Sequence, residues 1–334
     1  MQNNVAVITG ATGHIGYALL KQLENTGASI RILIRKDTPI FDGIACEKYY
    51  GDITQPETLD EPFSGADTVY HLAGMIDISL SDPLLMRRVN VDGTVNVVEA
   101  CKRNKVRRLV YASSVDAMPP SLCGCEITEP ESFPDDRLEG AYALTKAEAT
   151  RYVLQNNKAG LETVVALPSA CIGPYDYKVS SIGEMVRMFM RDSFHISLSF
   201  GAYNFVDVRD VADGMIAMSQ QGKAGESYLL TGSVLAADDV FKAVAKKCGV
   251  KPPLIKLPLP VAKLLAPEAE LYYKLLDKTP LFTRLSIKVI TYNCNFSHQK
   301  AAKQLGYSPM SAEQSFGDMV DWIEAHEHIM ANRK

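Results

Sequence analysis

The sequence is poor in several of the features that announce particular functions. One Trp and six His stand among 334 residues, and Lys plus Arg (35) nearly balance Asp plus Glu (39), for a formal net charge of −4. No run of Lys or Arg is long enough to form the basic stripe that phosphate backbones require, so nucleic acid is not an expected partner. Apolar runs such as LPLPVAKLLAP are cut by Pro or Lys well short of the ~20 residues a bilayer span needs, so no membrane crossing is expected. The chain leads from Met1 straight into VAVITG without a signal-like segment, and a cytoplasmic protein is the expectation. Seven cysteines, an odd number scattered through a chain this long, read as reduced thiols. Cys123 and Cys125 have no second pair and no nearby His at ligand spacing, so no metal site is expected.

What is present is a large apolar content, 47% of residues, in a chain long enough for a main domain and a smaller lobe. Short β-branched runs alternate with helical patterns: VAVIT, IGYALLKQLENTG, SIRILIR, DTVYHLA, VNVDGTVNVVEACKRN, RRLVYAS, AYALTKAEATRYVLQNN, TVVALP. That alternation predicts an α/β fold with a doubly wound parallel sheet and helices on both faces. Gly27 and Gly160 fall where helix C-caps are expected. Beyond Pro168 the rhythm weakens into returning strands (FVDV, SYLLTG), helices and joints at Pro252, Pro258, Pro260 and Pro267. A dinucleotide-binding domain over 1–170 with returning segments near 203–232, and a discontinuous mixed α/β substrate lobe over 171–202 and 233–334, is the expected division.

The first strand ends in Thr9-Gly10-Ala11-Thr12-Gly13-His14-Ile15-Gly16, and a helical pattern follows at once. Three glycines at a strand-to-helix turn permit a tight bend and a close approach of backbone to a pyrophosphate, whose charge is met by free N–H groups of the helix N-terminus. The spacing is GxxGxxG, where the commoner fingerprint is GxGxxG. After the second strand, where NAD binders usually place an acidic residue against the ribose 2′-OH, the chain offers Arg35 and Lys36. Two cations suit a 2′-phosphate, which favours NADPH and leaves NAD as the alternative. A solvated basic pair beside Asp37 is the competing reading.

Tyr142 and Lys146 are four residues apart in a helical segment, so they share a face one turn apart. A phenol with a pKa of about 10 needs roughly 3 units of phenolate stabilisation to exchange protons near neutrality, and a neighbouring ammonium supplies part of it. Ser114, at the end of RRLVYASS, adds a hydroxyl donor to the same substrate oxygen. Y-x-x-x-K is common on helix surfaces, so its weight comes from the other motifs around it.

Together TGATGHIG, GDITQPETL, DTVYHLAG, VNVDGTVNVVEAC, YASS, YALTK, LPSACIGP and FVDVRDVADG resemble, in order, the extended short-chain dehydrogenases/reductases of the NAD-dependent epimerase/dehydratase superfamily. LPSACIGPYD, FVDVRDVADG and FSHQKAAKQLGYSP are most similar to the dihydroflavonol 4-reductase and 3β-hydroxysteroid dehydrogenase branch. The resemblance implies a Rossmann fold, with Tyr142 as acid/base, Lys146 on the nicotinamide ribose and lowering the Tyr pKa, and Ser114 polarising a carbonyl. It further implies that Asp52 and Ile53 contact adenine, that His71 and then Leu72, Ala73 and Gly74 line the cofactor, that Pro168 sits beside the nicotinamide, and that Asn90 supports the active-site helix. Gly10, Thr12, Gly13, His14, Ile15 and Gly16 hold the diphosphate in this reading.

Two departures stand out. SSVDAMPPS replaces the Val-Tyr-Gly that sugar-nucleotide relatives carry after the serines, and Ser113 competes with Ser114 as the catalytic hydroxyl. Asp116 is either a second acid or, the favoured reading, an Asx-turn former. Segments rich in Met, Leu, Tyr and Phe, among them MIDISLSDPLLM and GEMVRMFMRDSF, suit an apolar ligand, although Met185, Met188 and Phe189 at helical spacing also fit plain core. The expected function is ketone or aldehyde to alcohol interconversion on a mainly apolar small molecule, by a monomer or homodimer. A nucleotide-sugar epimerase or dehydratase with tightly bound NAD is the alternative, and a non-catalytic dinucleotide sensor the lesser one.

Overall fold

The computed structural model describes residues 4–76, 82–121, 124–158, 160–191, 196–275 and 283–331. The first strand, β1 (Val5–Thr9), is apolar and β-branched, and all five residues are buried, as a strand covered on both faces must be. The glycine turn leads into α1 (His14–Leu23), which passes through a short 3₁₀ turn to Gly27 at φ +73°, the left-handed end expected of it. β2 (Ser29–Ile34), β3 (Glu47–Tyr50), the short α2 (Asp60–Phe63) and β4 (Thr68–His71) follow.

A helical stretch then runs through α3 (Pro83–Arg87), a π-helical segment Arg88–Asp92 and α4 (Gly93–Arg103). After it come β5 (Arg108–Ala112), α5 (Ala141–Gln155) and β6 (Glu162–Pro168). α5 stops at Gln155, earlier than Gly160 would have it, because Asn156 takes the end: its amide donates to Tyr152 O at 2.7 Å and accepts from Lys102 Nζ at 2.6 Å.

At Ser169 the chain leaves the main sheet and enters a second one. β7 (Ala170–Ile172) begins there, then α6 (Ser181–Met190), β8 (Ile196–Leu198) and β9 (Ala202–Asp207). α7 (Val208–Gln221) carries the chain back to β10 (Ser227–Leu230), and β11 (Ser233–Ala236), α8 (Ala237–Cys248), β12 (Ile255–Leu257), α9 (Leu259–Leu275), α10 (Arg284–Val289), α11 (Gln299–Leu305) and α12 (Ala312–Ala331) complete it.

The seven-stranded sheet has the order β10-β6-β5-β4-β1-β2-β3, every pair parallel. Its winding reverses between β1 and β4, so a crevice opens beyond the C-terminal ends of those two strands, where ligands of such sheets bind. α1 and α7 cover one face through Ala18, Leu19, Met215 and Met218, while α4 and α5 cover the other through Val97, Val98, Ala147 and Val153. This is the doubly wound Rossmann arrangement.

The second sheet has the order β11-β9-β7 and packs with α6, α8 and α12 around Phe189, Phe241, Phe316 and Trp322. Phe189 is thus core. Of the two stretches read as returning strands, SYLLTG supplies β10 at the edge of the main sheet, whereas FVDV lies in β9 of the second sheet, because Ser169 had already diverted its partner β7. No helix among the described residues is long and apolar enough to cross a membrane. Five cysteines are free thiols but Cys125 is disulfide-bonded, which corrects the expectation of reduced thiols throughout; Cys123 lies outside the described residues.

Candidate active site

The glycine turn closes against the end of β4. Gly10 takes φ +81°, and a Cβ there would lie 2.5 Å from Ala73 N. A Cβ on Gly16 would come within 2.2 Å of Gly10 O, so both positions exclude a side chain. Gly13 is the α1 N-cap and has no side-chain cap, so the first-turn N–H groups of α1 depend on a partner from outside the helix. The side chain of His14 turns away, its Nε2 2.7 Å from Pro174 O, and pins the loop to the segment after β7. Leu72 N donates to Thr9 O, and Ala73 N reaches Thr9 Oγ1.

Gly74 continues this wall to the catalytic candidates. A Cβ on it would lie 3.3 Å from Asn90 Oδ1 and 3.5 Å from Lys146 Nζ. Asn90 sits in the π-helical segment, a feature that often marks functional sites. There it is buried, accepting from Met75 N at 2.7 Å and donating to Met75 O and Thr145 Oγ1. It therefore ties the β4 loop to α5.

Lys146 is buried, donates to Ala112 O at 2.7 Å and to Tyr111 OH at 3.4 Å, and is pushed down to about 8 by desolvation. Tyr142, one turn earlier, is partly buried and hydrogen-bonds with the Ser114 side chain. Burial is the main cause that raises its phenol above the ordinary 10, Asp116 adds to this, and Ser114 opposes both. Lys146 is not among the main causes of that shift. The ammonium is instead aimed at Ala112 O.

The two serines are separated by their surroundings. Ser113 is buried, with its Oγ 2.6 Å from Thr150 Oγ1, a bond that ties β5 to α5. Ser114, also buried, is the N-cap of the short turn Val115–Ala117. The expected Asx role of Asp116 does not hold. The turn is capped by the Ser114 oxygen accepting from Asp116 N, while the Asp116 carboxylate accepts from Ser114 Oγ at 3.2 Å and Tyr203 OH at 3.0 Å.

At the end of β2, Arg35 and Lys36 are exposed, and neither makes a hydrogen bond or ion pair among the described residues. Asp37 does not neutralise them, since its carboxylate is taken by Lys48 at 2.9 Å and by Thr38 N. Asp52 Oδ1 is occupied locally by Thr54 N and Oγ1, Asp52 N and O bond Thr58, Ile53 O accepts from Asn96 Nδ2, and the Ile53 side chain is buried against Gly93. Pro168, buried, ends β6 opposite Leu230 of β10.

The glycine turn thus meets the β4 loop at Gly10 and Ala73, and that loop meets Lys146 at Gly74. The profile described as the NAD dependent epimerase/dehydratase family matches residues 6–230. The chain belongs to this family. It is 28% identical over 323 residues to "Sterol demethylase protein B" of Methylococcus capsulatus, covering 95% of this chain and 97% of that one. It is 30% identical over 300 residues to "3beta-hydroxysteroid-dehydrogenase/decarboxylase isoform 1" of Arabidopsis thaliana, covering 85% of this chain and 67% of that one. The crystal structure of gox2253 superposes with a TM-score of 0.84 at 30% identity, over 97% of this chain and 99% of that one. Dihydroflavonol 4-reductase and 3β-hydroxysteroid dehydrogenase names both occur among the relatives, which is the branch that the motifs resembled.

In this member of the epimerase/dehydratase family, the residue that sequence reasoning missed is Tyr203. It comes from the second sheet, and nothing local to AYNFVD shows that its hydroxyl reaches Asp116, 87 positions earlier. Parts of the apolar segments expected around the substrate, 77–81, 122–123, 192–195 and 276–282, lie outside the described residues.

Proposed function

We propose that this chain is an NADPH-dependent oxidoreductase that interconverts a ketone or aldehyde and an alcohol on a mainly apolar small molecule, dihydroflavonol-like or steroid-like, with Tyr142 as acid/base. The observation that carries this is the pair of close approaches Gly10–Ala73 and Gly74–Lys146, with Tyr142 one turn before Lys146 and Ser114 acting on its phenol. The side-chain-free approaches at Gly10 and Gly16 and the uncapped first turn of α1 fit a dinucleotide diphosphate, held by Thr12, Gly13, His14 and Ile15 around them. Unpaired Arg35 and Lys36 suit a 2′-phosphate; Asp52 and Ile53 contact adenine; Leu72, Ala73, Gly74 and Pro168 line the nicotinamide half; Asn90 fixes the loop. In this reading 1–170 with the return near 203–232 holds the dinucleotide, and 171–202 and 233–334 shape the substrate site. The names of relatives that act on steroids and dihydroflavonols support an apolar substrate.

When bound, the dinucleotide supplies or accepts the hydride. The protein's part is proton and charge placement. Tyr142, whose environment holds the phenol neutral, hands its proton to the carbonyl oxygen in the reductive direction. Ser114 donates a second hydrogen bond to that oxygen. Lys146, cationic below a pH of about 8, anchors the ribose and offsets the phenolate left behind.

A screen of carbonyl compounds and secondary alcohols, read by nicotinamide absorbance, tests the substrate class. Tyr142→Phe is expected to lower kcat by about 10²–10⁴ while the protein stays folded. Retention of most of the turnover sinks the mechanism. Stoichiometric release of oxidised cofactor separates this reading from internal-redox epimerisation.

A further inference from the structure

Ser114, Asp116 and Tyr203 form a hydrogen-bonded chain that the proton transfer described above leaves without a task. Ser114 Oγ donates to Asp116 Oδ2 at 3.2 Å, Asp116 N donates back to Ser114 Oγ at 3.1 Å, and Tyr203 OH donates to Asp116 Oδ1 at 3.0 Å. The turn at Val115–Ala117 needs only the Ser114 oxygen, so the carboxyl is not there to make the turn.

Counting protons gives the carboxyl a function. A serine hydroxyl has one proton and two lone pairs. With Asp116 ionised, the Ser114 proton is committed to Oδ2, one lone pair takes Asp116 N–H, and nothing remains to donate to a substrate oxygen. With Asp116 neutral, its own proton points to Ser114 Oγ, and the serine proton is released. We propose that Asp116, held by Tyr203, is a positioning residue: in its neutral form it donates to Ser114 and so directs the single Ser114 proton onto the substrate carbonyl oxygen. This rests on the reading of Ser114 and Tyr142 given above.

Burial and hydrogen bonding act on this carboxyl in opposite directions. Burial pushes the Asp116 carboxyl up, against the lowering by Tyr203 and Ser114. The titratable groups facing it are Tyr203 from β9 and Tyr142 from α5, both raised and neutral. Behind them stand Cys171 of β7 and Cys294, both thiols raised by burial. The nearby cation on α5, Lys146, is turned to Ala112 O.

The experiment is the pH dependence of kcat/KM for reduction of a 3-ketosteroid by NADPH, with a dihydroflavonol as second probe. In the wild type the rate falls as pH rises through the Asp116 pKa, which burial raises, towards a floor lower by about 10²-fold, the cost of one lost donor. Asn at 116 always donates to Ser114, so Asp116→Asn removes that fall and outpaces the wild type by tenfold or more above it. Asp116→Leu, which cannot donate, is slow at every pH. Tyr203→Phe removes a donor to the carboxylate and moves the fall to higher pH. The inference is overturned if Asp116→Asn keeps the wild-type profile or is as slow as Asp116→Leu, or if Tyr203→Phe leaves the fall in place. If Tyr142→Phe keeps turnover, or the wild type reduces neither probe, it is the reading of the site that fails; if Tyr142→Phe collapses and Asp116→Asn matches the wild type, this inference alone fails.

Discussion

Lys146 Nζ lies 4.9 Å from the centroid of the Tyr111 ring and donates to the carbonyl next to it, that of Ala112, at 2.7 Å. Among the described residues no carboxylate pairs with this ammonium, so ring face and backbone oxygen are its compensation for lost water. Its folded value of about 8 is below the unfolded 10.5, so the unfolded chain holds more protons between those pH values and stability rises with pH across that window. At neutral pH the full cost is present, on the order of 3 kcal/mol. Lys146→Met is expected to raise Tm by a few degrees at pH 7 while abolishing turnover. A calorimetric scan at pH 7 and pH 10 checks it, with the gain smaller at pH 10.

His71 gives the opposite arm of the stability curve. Its ring is fully buried, with Nδ1 2.7 Å from Thr9 Oγ1 and Nε2 3.0 Å from Thr94 Oγ1. Thr94 Oγ1 donates to Asn90 O, which leaves its lone pairs for Nε2–H, and Thr9 is the donor to Nδ1. Both ring nitrogens are satisfied only in the neutral ring, and burial first, with Lys146 second, holds it down to about 3. The folded value is below the unfolded 6.5, so stability is lost as pH falls from 6.5 towards 3, by about 1.4 kcal/mol per unit. His71→Gln should flatten the acid side of a denaturation-midpoint series by about one proton. An unchanged slope would show that His71 does not set the acid limit.

At the glycine turn, two substitutions with similar backbone angles should part company. Gly10→Ala meets both φ +81° and Ala73 N at 2.5 Å, so it should cost about 3 kcal/mol or more and abolish dinucleotide binding. Gly27→Ala meets φ +73° but nothing within 4 Å, so it should cost only about 1 kcal/mol and leave binding intact. Urea denaturation and nucleotide titration by fluorescence read both effects.

In the proposed reading Arg35 and Lys36 set the coenzyme preference. Replacing both by Ser is expected to lower kcat/KM for NADPH tenfold or more relative to NADH, with the loss shrinking at high salt. A wild-type preference for NADH overturns that assignment.

Which parts of this were visible in the chain follows from how far each feature reaches. The five buried residues of β1 and the glycine turn after it are contiguous, so composition alone marks them, and Tyr142 and Lys146 meet through the pitch of one helix. The support of the active-site helix by Asn90 was implied by the resemblance, but its bonds to Met75 were not visible, because they need a π-helical turn between α3 and α4. Nor was the fate of Asp37, whose partner Lys48 sits on the neighbouring strand β3.

By itself, then, the sequence determined the alternation of strands and helices, the parallel sheet and the nucleotide turn, since backbone propensity and burial periodicity act over a few residues. Tertiary structure decided that the chain changes sheets at Ser169, that Ser113 bonds Thr150 while Ser114 bonds Asp116, and that Tyr203 closes on Asp116. Those outcomes depend on which side chains packing brings within about 3 Å across long stretches of chain, and hydrogen-bond geometry at that range is not written in any local pattern.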